Sequence, residues 1–292
     1  MFSLKKSILV SNVLDPLTRD PIDLKMVYER LFKENRYESI ETRLIKNQQL
    51  IKCFNKLRTA RTSVTYYITG DLTRNNLSLS TVNCKNRIKA IDYCKESLKD
   101  AQKTNCNYMG IASGRIEENA LLNLDLFVDS MNEIMHWIEK KGLGIKLAIE
   151  PLDQYAHKKN VVGSLDMTCR LINKLENLGW NENHYILTWD SAHVALNEDD
   201  FETSIKSLSK YIYKVHFANA VLDKSDDLYG DYHIDFKKGF MDLKCARRIL
   251  QVCKKYINHP IEVSCEVREK NIDHCWGLEE ELYEFLNEAM NI

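Results

Sequence analysis

Leu143-Gly-Ile-Lys-Leu-Ala-Ile-Glu-Pro-Leu152 contains a short apolar run that ends in a carboxylate, Glu150, followed at once by a proline. Proline lacks the N–H that a sheet ladder requires, so Pro151 marks the end of a β-strand. Moving a carboxylate out of water at the end of a buried strand costs free energy, and a metal ion or a polar pocket usually offsets this cost. The segment therefore predicts a strand that carries Glu150 into a polar site.

Three later segments repeat this arrangement of a short apolar strand that ends in an acid or an imidazole. They are Ile186–Asp190, Tyr213–His216 and Ile261–Glu266. A single acid at a strand end is usually a helix cap or an ion-pair partner. Four such ends on consecutive strands favour one shared site instead.

Segments with strand-like and helical patterns alternate along the whole chain. Thr62–Thr69 is rich in β-branched and aromatic residues and predicts a strand. Val82–Lys103 and Leu121–Lys140 repeat apolar residues at the helical period. The full pattern gives eight strands and about eight helices, and this alternation implies parallel strands joined by helical crossovers.

Eight repeats within 292 residues favour a closed barrel over an open, doubly wound sheet. No G-x-G-x-x-G follows the first strand, which weakens the open dinucleotide-binding alternative. We predict an α/β protein that forms a single (β/α)8 TIM barrel over residues 1–292, with its active site at the C-terminal ends of the strands. The expected boundaries of the first two strands are Ser7–Asn12 and Tyr37–Glu41, and Gly70–Ser80 is expected to be a loop.

Composition and charge argue against several classes of protein. The hydrophobic content of 44% and the charged content of 28% are ordinary for a globular protein. The formal net charge is −1, so the overall electrostatic potential does not favour binding to nucleic acid or to a membrane surface. The chain has no run of about 20 apolar residues, and its N-terminus lacks the apolar core and cleavage site of a signal peptide. The nine cysteines are scattered without a C-x-x-C pair, which favours a cytoplasmic location.

The C-terminal ends of all strands in a parallel barrel open on one face, so side chains at these ends can converge. The residues that end strands five to eight are Glu150, Asp190, His216 and Glu266. Three carboxylates and one imidazole form a mainly hard oxygen set, which suits Mn²⁺, Mg²⁺ or Co²⁺ better than structural zinc. We predict one divalent metal ion, with Mn²⁺ the best match and Mg²⁺, Co²⁺ or Zn²⁺ as alternatives.

The same strand ends resemble the metal-site motifs of xylose isomerase-like TIM barrels. The motifs are Glu150-Pro-Leu152, Trp189-Asp-Ser-Ala-His193, Val215-His-Phe217 and Cys265-Glu266, with Gly230-Asp-Tyr-His-Ile-Asp-Phe236 similar to a G-x-G-x-I-D-F/W segment between strands seven and eight. This family includes sugar and sugar-phosphate isomerases and epimerases, with endonuclease IV-type AP endonucleases as relatives. The resemblance covers most of the chain and is strongest from Gly144 to Glu266.

The resemblance implies a metal-dependent sugar or sugar-phosphate isomerase or epimerase in which the four strand-end residues hold one divalent ion. In the epimerases the two metal-bound glutamates also act as acid and base on opposite faces of the substrate, which assigns these roles to Glu150 and Glu266. A proton α to a carbonyl would be removed through a metal-stabilised enediolate. His193 matches a histidine that contacts substrate hydroxyls. His233 and Trp189 are further substrate-binding candidates, the alternatives being a loop-packing histidine and a buried barrel tryptophan.

Two departures from the ketose epimerase pattern leave the substrate open. Ala156 stands six residues after the first metal glutamate, where some epimerases have a glutamate. Phe217-Ala-Asn-Ala follows the histidine of strand seven, where they have an arginine nearby. The partner is expected to be a small-molecule sugar, an inositol derivative or a hydroxy-keto acid. The loops Gly70–Ser80 and Val221–Gly239 could cover the pocket or mediate a homo-oligomer.

Three other functions are compatible with such a site. An inosose dehydratase-like lyase would begin with the same proton abstraction, and a ligand-binding barrel would catalyse nothing. The third is an AP endonuclease-like phosphodiesterase with three zinc ions, whose D-x-H zinc pair Asp231 and His233 resemble. That nuclease has histidines at the ends of strands three and four, whereas this chain has Tyr66-Tyr-Ile-Thr69 and Ile111-Ala-Ser-Gly114.

Overall fold

The fold is a closed barrel of eight parallel strands. A computed structural model describes residues 1–292, the whole chain. Each strand pairs with the next along the chain, and β8 (Pro260–Glu266) closes the barrel by pairing in parallel with β1 (Ser3–Leu9). The (β/α)8 TIM barrel predicted from the alternation of strands and helices is therefore confirmed.

The other strands are short and lie close to their predicted positions. They are β2 (Ser39–Arg43), β3 (Ser63–Tyr67), β4 (Tyr108–Ile111), β5 (Lys146–Ile149), β6 (Tyr185–Asp190) and β7 (Ile212–Ala218). β1 does not match the expected bounds Ser7–Asn12. It begins earlier because its first residues pair with the start of β8, and it ends at Leu9 because residues 10–12 belong to the first helix. β2 ends at Arg43 instead of Glu41, which moves Glu41 into the interior of the strand.

Eleven α-helices connect the strands and form the outer layer. They are α1 (Val10–Val13), α2 (Pro21–Glu34), α3 (Gln48–Leu57), α4 (Thr69–Arg74), α5 (Cys84–Gln102), α6 (Ala120–Lys141), α7 (Leu165–Asn177), α8 (Ser191–Leu196), α9 (Phe201–Leu208), α10 (Leu243–Tyr256) and α11 (Cys275–Met290). The short helix α4 occupies the first part of the segment expected to be a loop. None of the helices combines the length and the apolar character that a membrane span requires.

Local signals fix where the longer helices begin and end. Asn119 and Ser164 accept backbone N–H groups at the starts of α6 and α7, which satisfies donors that have no partner within the helix. Gly142 ends α6 in the left-handed conformation, with a φ of 62° that a residue without a Cβ adopts at little cost. Because these signals are local, the helix boundaries agree closely with the sequence prediction.

The apolar core lies between the barrel and its helices, and the interior of the barrel is polar. A cluster of 67 buried hydrophobic residues from strands and helices forms this core. On β7, Phe217 packs edge-on against Phe285 of α11. Its strand neighbours Lys214 and His216 instead contact Glu41 of β2 across the barrel. Successive side chains of a strand point to opposite faces, so every second residue of β7 lies inside the barrel.

Candidate metal centre

Four side chains that the sequence predicted to be ligands meet at the C-terminal ends of β5 to β8. They are Glu150, Asp190, His216 and Glu266. All four are buried, and one ligand-type atom of each lies within 4.8 Å of the others. Strand pairing explains the convergence, because Asp190 is in register with His216 and Glu266 is in register with Ala218, the last residue of β7.

The imidazole of His216 turns Nδ1 toward the three carboxylates. Nδ1 lies 2.8 Å from Glu266 Oε2, 3.3 Å from Glu150 Oε1 and 4.0 Å from Asp190 Oδ2. Asp190 Oδ2 is buried without a hydrogen-bond partner, which is costly for a carboxylate oxygen away from water. A divalent cation would satisfy this oxygen, and three carboxylates with one imidazole suit such an ion.

The crowding of three carboxylates in a buried site perturbs the titration of the groups around it. Burial, together with the charges of Glu266 and Glu150, raises the pKa of Asp190 to about 8. Burial by itself lowers the pKa of His216, but the surrounding carboxylates outweigh burial and raise this pKa well above its usual value. The electrostatic environment therefore favours positive charge at this point.

The other nitrogen of His216 faces a row of charged side chains inside the barrel, which no sequence motif indicated. Nε2 lies 3.1 Å from Glu41 Oε2 on β2. Lys214 Nζ lies 3.3 Å from the same oxygen and also contacts Glu262 on β8. We call Glu262, Lys214 and Glu41 the interior charge column. Lys214 and Glu262 alternate with hydrophobic residues along their strands, and this alternation is the one signal in the sequence that could have revealed them.

Tyr67 also reaches His216, because a glycine on the neighbouring strand leaves room for its ring. A Cβ at Gly110 would lie only 2.2 Å from the Tyr67 ring. The Tyr67 hydroxyl lies 3.0 Å from Glu41 Oε2, 3.2 Å from Thr188 Oγ1 and 3.3 Å from His216 Nε2. The ring therefore spans the barrel interior from β3 to side chains of β2, β6 and β7.

His193 lies on α8, which follows Asp190 directly. Asp190 Oδ1 accepts the backbone N–H of His193 at 3.0 Å and caps this helix. The ring Nδ1 accepts the backbone N–H of Asp153 at 3.1 Å, so the proton of the imidazole belongs on Nε2, 3.7 Å from Asp231 Oδ2. Burial lowers the pKa of His193, while the carboxylates around it raise this pKa to about 10. Nδ1 also lies 3.5 Å from Asp153 Oδ2, so a carboxylate stands near each nitrogen of the ring.

His233 lies at the edge of the metal centre. Its backbone is left-handed, with a φ of 53° that is uncommon for a residue other than glycine. The ring Nδ1 lies 3.2 Å from Glu266 Oε1 and 3.3 Å from Asp231 Oδ1. The second oxygen of Asp231 contacts Lys158 Nζ at 3.0 Å. The structure thus brings His193 and His233 together around Asp231, beside the four convergent residues.

Trp189 is the one candidate that the structure does not bring to the site. Its side chain is 2% exposed, donates from Nε1 to Ser204 Oγ at 3.0 Å and packs edge-on against Phe201 of α9. Asp190 points into the barrel, so the residue before it on the same strand must point outward to the helices. This placement corrects the expectation that Trp189 lines the substrate pocket.

A cavity of about 780 Å³ opens at the metal centre, a size that is usual for small-molecule sites. Three of the four convergent residues line it, together with His193, Asp231 and His233. Its basic side chains are Arg43, Arg74, Arg115, Lys158 and Arg268. The ends of β3 and β4 contribute no histidine; the residues that line the cavity there are Tyr67, Thr69, Ala112, Ser113 and Gly114.

Solved structures with a range of activities share this fold. An L-ribulose 3-epimerase is 11% identical, with coverage of 98% of this chain and 96% of that chain and a TM-score of 0.69. The IolI protein with a binding zinc atom is 15% identical, with coverage of 98% of this chain and 96% of that chain and a TM-score of 0.67. An AP endonuclease of family 2 from Brucella melitensis is 10% identical, with coverage of 96% of this chain and 99% of that chain and a TM-score of 0.65. At such identities the likeness shows the fold alone.

A comparison with curated proteins gives no match. The family model described as xylose isomerase-like TIM barrel matches residues 41–284, which is most of the chain. The resemblance inferred from the strand-end motifs is thereby confirmed. The protein belongs to the family of xylose isomerase-like TIM barrels.

Proposed function

We propose that the protein is a divalent-metal-dependent isomerase or epimerase of a sugar or sugar phosphate. The observation that carries the proposal is the convergence of three carboxylates and one imidazole at the wall of a cavity of small-molecule size. The fold is shared with a protein named as an L-ribulose 3-epimerase, which supports an enzyme that acts on carbohydrates.

Glu150, Asp190, His216 and Glu266 would hold one divalent ion, with Mn²⁺ preferred and Mg²⁺, Co²⁺ or Zn²⁺ as alternatives. When bound, the ion would polarise a substrate carbonyl and so increase the acidity of the adjacent C–H bond. Support comes from the unpartnered oxygen of Asp190, which no side chain of the protein satisfies. A zinc atom in the similarly folded IolI protein is consistent with this assignment.

Glu150 and Glu266 are the proposed acid and base. They stand at the ends of β5 and β8, which are three strands apart in the barrel, so they approach the cavity from different sides. One would remove the proton next to the substrate carbonyl, and the other would return a proton to the opposite face. Asn12 donates to Glu266 Oε1 at 2.9 Å and orients this carboxylate. A positioned base of this kind typically contributes about 10²–10⁴ in rate.

His193 and His233 are the proposed contacts to substrate hydroxyls. His193 presents an Nε2–H donor to the cavity, next to Asp231. His233 also lines the cavity, beside Glu266.

We place the reaction in the cytoplasm, because all nine cysteines are free thiols.

Proton exchange in D₂O, followed by NMR, tests the proposed function. The substrates would be ketoses, keto-inositols and their phosphates, with the protein loaded with Mg²⁺ or Zn²⁺, which do not broaden the spectra. We expect deuterium at the carbon next to the carbonyl, with all hydroxyls retained. Loss of water would identify a lyase instead, and no exchange by metal-loaded protein across the panel would rule out the proposed chemistry.

A phosphodiesterase that cleaves DNA at abasic sites is the second candidate, because Asp231, His233 and His193 form another group of ligand-type side chains. Asp231 lies 3.3 Å from the His233 ring and 3.7 Å from the His193 ring. However, Lys158 Nζ already contacts Asp231, and the ends of β3 and β4 offer no histidine. Metal content separates the two functions, since one ion per chain supports the isomerase and three ions support the nuclease.

A further inference from the structure

Glu41 is the member of the interior charge column that contacts the metal centre. It is 1% exposed, and both of its carboxylate oxygens have partners. Oε1 accepts hydrogen bonds from the hydroxyls of Ser7 at 2.8 Å and Ser264 at 2.9 Å. Oε2 faces His216 Nε2 at 3.1 Å and Lys214 Nζ at 3.3 Å. These partners lie on β1, β7 and β8, so the closed barrel fixes the position of the carboxylate.

Both ring nitrogens of His216 face a carboxylate, and a cation bound at Nδ1 would leave Glu41 as the acceptor for the remaining proton. An imidazole binds a metal ion only through a nitrogen without a proton, and Nδ1 is the nitrogen that faces Glu150 and Glu266. The proton of the neutral ring must then be on Nε2. A buried N–H requires an acceptor, and Glu41 Oε2 lies at hydrogen-bond distance. The carboxylate of Glu41 therefore stabilises the tautomer that metal binding through Nδ1 requires.

Lys214 places a buried positive charge beside this acceptor. Its side chain is fully buried and contacts the carboxylates of Glu41 and Glu262. The hydroxyl of Tyr67 also donates to Glu41 Oε2, at 3.0 Å. An ionised carboxylate only accepts hydrogen bonds, so Glu41 has no proton of its own to donate to His216. The bond from Nε2–H is therefore charge-assisted and stronger than one to a neutral oxygen.

We propose that Glu41 is a positioning residue, which holds His216 in the Nε2-protonated tautomer and aims Nδ1 at the cation. The inference rests on the proposed metal site. Carboxylates that accept the outer N–H of a metal-binding histidine typically raise metal affinity by about 10- to 100-fold. Glu41 does not line the cavity, so it acts through His216 and not by contact with the substrate.

Isothermal titration calorimetry of the metal-free protein with Zn²⁺ and Mn²⁺ tests the role of Glu41. We expect Kd to rise about tenfold in Glu41→Gln, which keeps the shape and loses the charge, and about 100-fold in Glu41→Ala. Glu262→Gln is the matched control, because Glu262 is also a buried carboxylate on Lys214 but does not contact His216. Its Kd should stay within about twofold of the wild-type value.

Side-chain ¹H–¹⁵N NMR of the Zn²⁺-loaded protein gives a readout that a merely structural role of Glu41 would not change. In the wild type we expect the proton of His216 on Nε2, with Nδ1 bare. In the Glu41 variants the Nε2–H signal should be lost to solvent exchange or shift strongly. Circular dichroism checks that each variant folds, and if Glu41→Ala does not fold, the two glutamine variants provide the comparison.

The outcomes separate this inference from the proposed function. If the wild type binds no divalent ion, the metal site is wrong and the role of Glu41 is wrong with it. If the wild type binds the ion and both Glu41 variants bind it equally tightly, the metal site stands and the positioning role is rejected. An equal loss of affinity in Glu41→Gln and Glu262→Gln also rejects it, because the column would then act through its net charge alone.

Discussion

His216 Nδ1 lies 2.8 Å from Glu266 Oε2, although 50 positions separate the two residues in the chain. The contact exists because β7 and β8 are neighbours in the barrel and His216 is in register with Ser264, one inward position before Glu266. An imidazole here separates carboxylates that would otherwise repel one another.

Removal of the metal ion is expected to lower the stability of the protein, because the buried carboxylates then lose their main source of positive charge. An ion present at 100 times its Kd adds about 2.7 kcal/mol to the free energy of unfolding. Calorimetric scans with EDTA and with added Mn²⁺ should therefore differ clearly in Tm. Asp190→Asn should abolish the difference, and Asp125→Asn, at an exposed acid on α6, should preserve it. An identical Tm in EDTA and Mn²⁺ would contradict the metal site.

Glu150→Gln and Glu266→Gln are each expected to lower kcat by about 10²–10⁴, because each removes a group that takes or returns the substrate proton. The measurement is turnover of the substrate found by proton exchange, with metal content determined for each variant at saturating ion. Glu117→Gln is the control, since Glu117 lines the same cavity outside the metal centre. If both variants kept full activity with metal bound, the acid and base roles would be excluded.

Lys214→Met is expected to destabilise the fold by about 3–5 kcal/mol, because it leaves the buried carboxylates of Glu41 and Glu262 facing each other without a cation. Lys210→Met is the matched control. Lys210 also contacts two glutamates, but its side chain is 53% exposed, so the loss should be about 0–1 kcal/mol. Urea unfolding measures both values. Similar losses in the free energy of unfolding at the two positions would show that the buried ion pairs of the interior charge column stabilise the fold no more than exposed ones.

The thiols are expected to differ widely in reactivity, because the thiolate is the reactive form and burial suppresses it. Burial raises the pKa of Cys94, Cys106 and Cys253 to about 12, whereas Cys84 is exposed. A thiol reagent at pH 8 should label Cys84 first, and the three buried thiols should react only after unfolding. Mass spectrometry of labelled peptides locates the sites, with Cys84→Ser as the control. Rapid labelling of Cys106 in the native protein would contradict the burial of this residue.

Much of the candidate site was predictable from local patterns. Short apolar runs that end in Glu150, Asp190, His216 and Glu266 indicate strand ends, and parallel strands in a barrel open at one end. His193 follows Asp190 at a fixed spacing, so it lies at the start of the next helix. Trp189 shows the limit of the same pattern. Its nearness to Asp190 in sequence suggested a shared pocket, but adjacent residues of a strand point to opposite faces.

The sequence by itself determined the order of the strands, the boundaries of the longer helices and which polar residues end the strands, because these features depend on local preferences of the backbone. Only the tertiary structure decided that Glu41, Lys214 and Glu262 meet inside the barrel. Polar residues at every second position describe a solvent-facing strand equally well. Their burial and their contact with His216 depend on pairing between strands far apart in the chain, which no local pattern specifies.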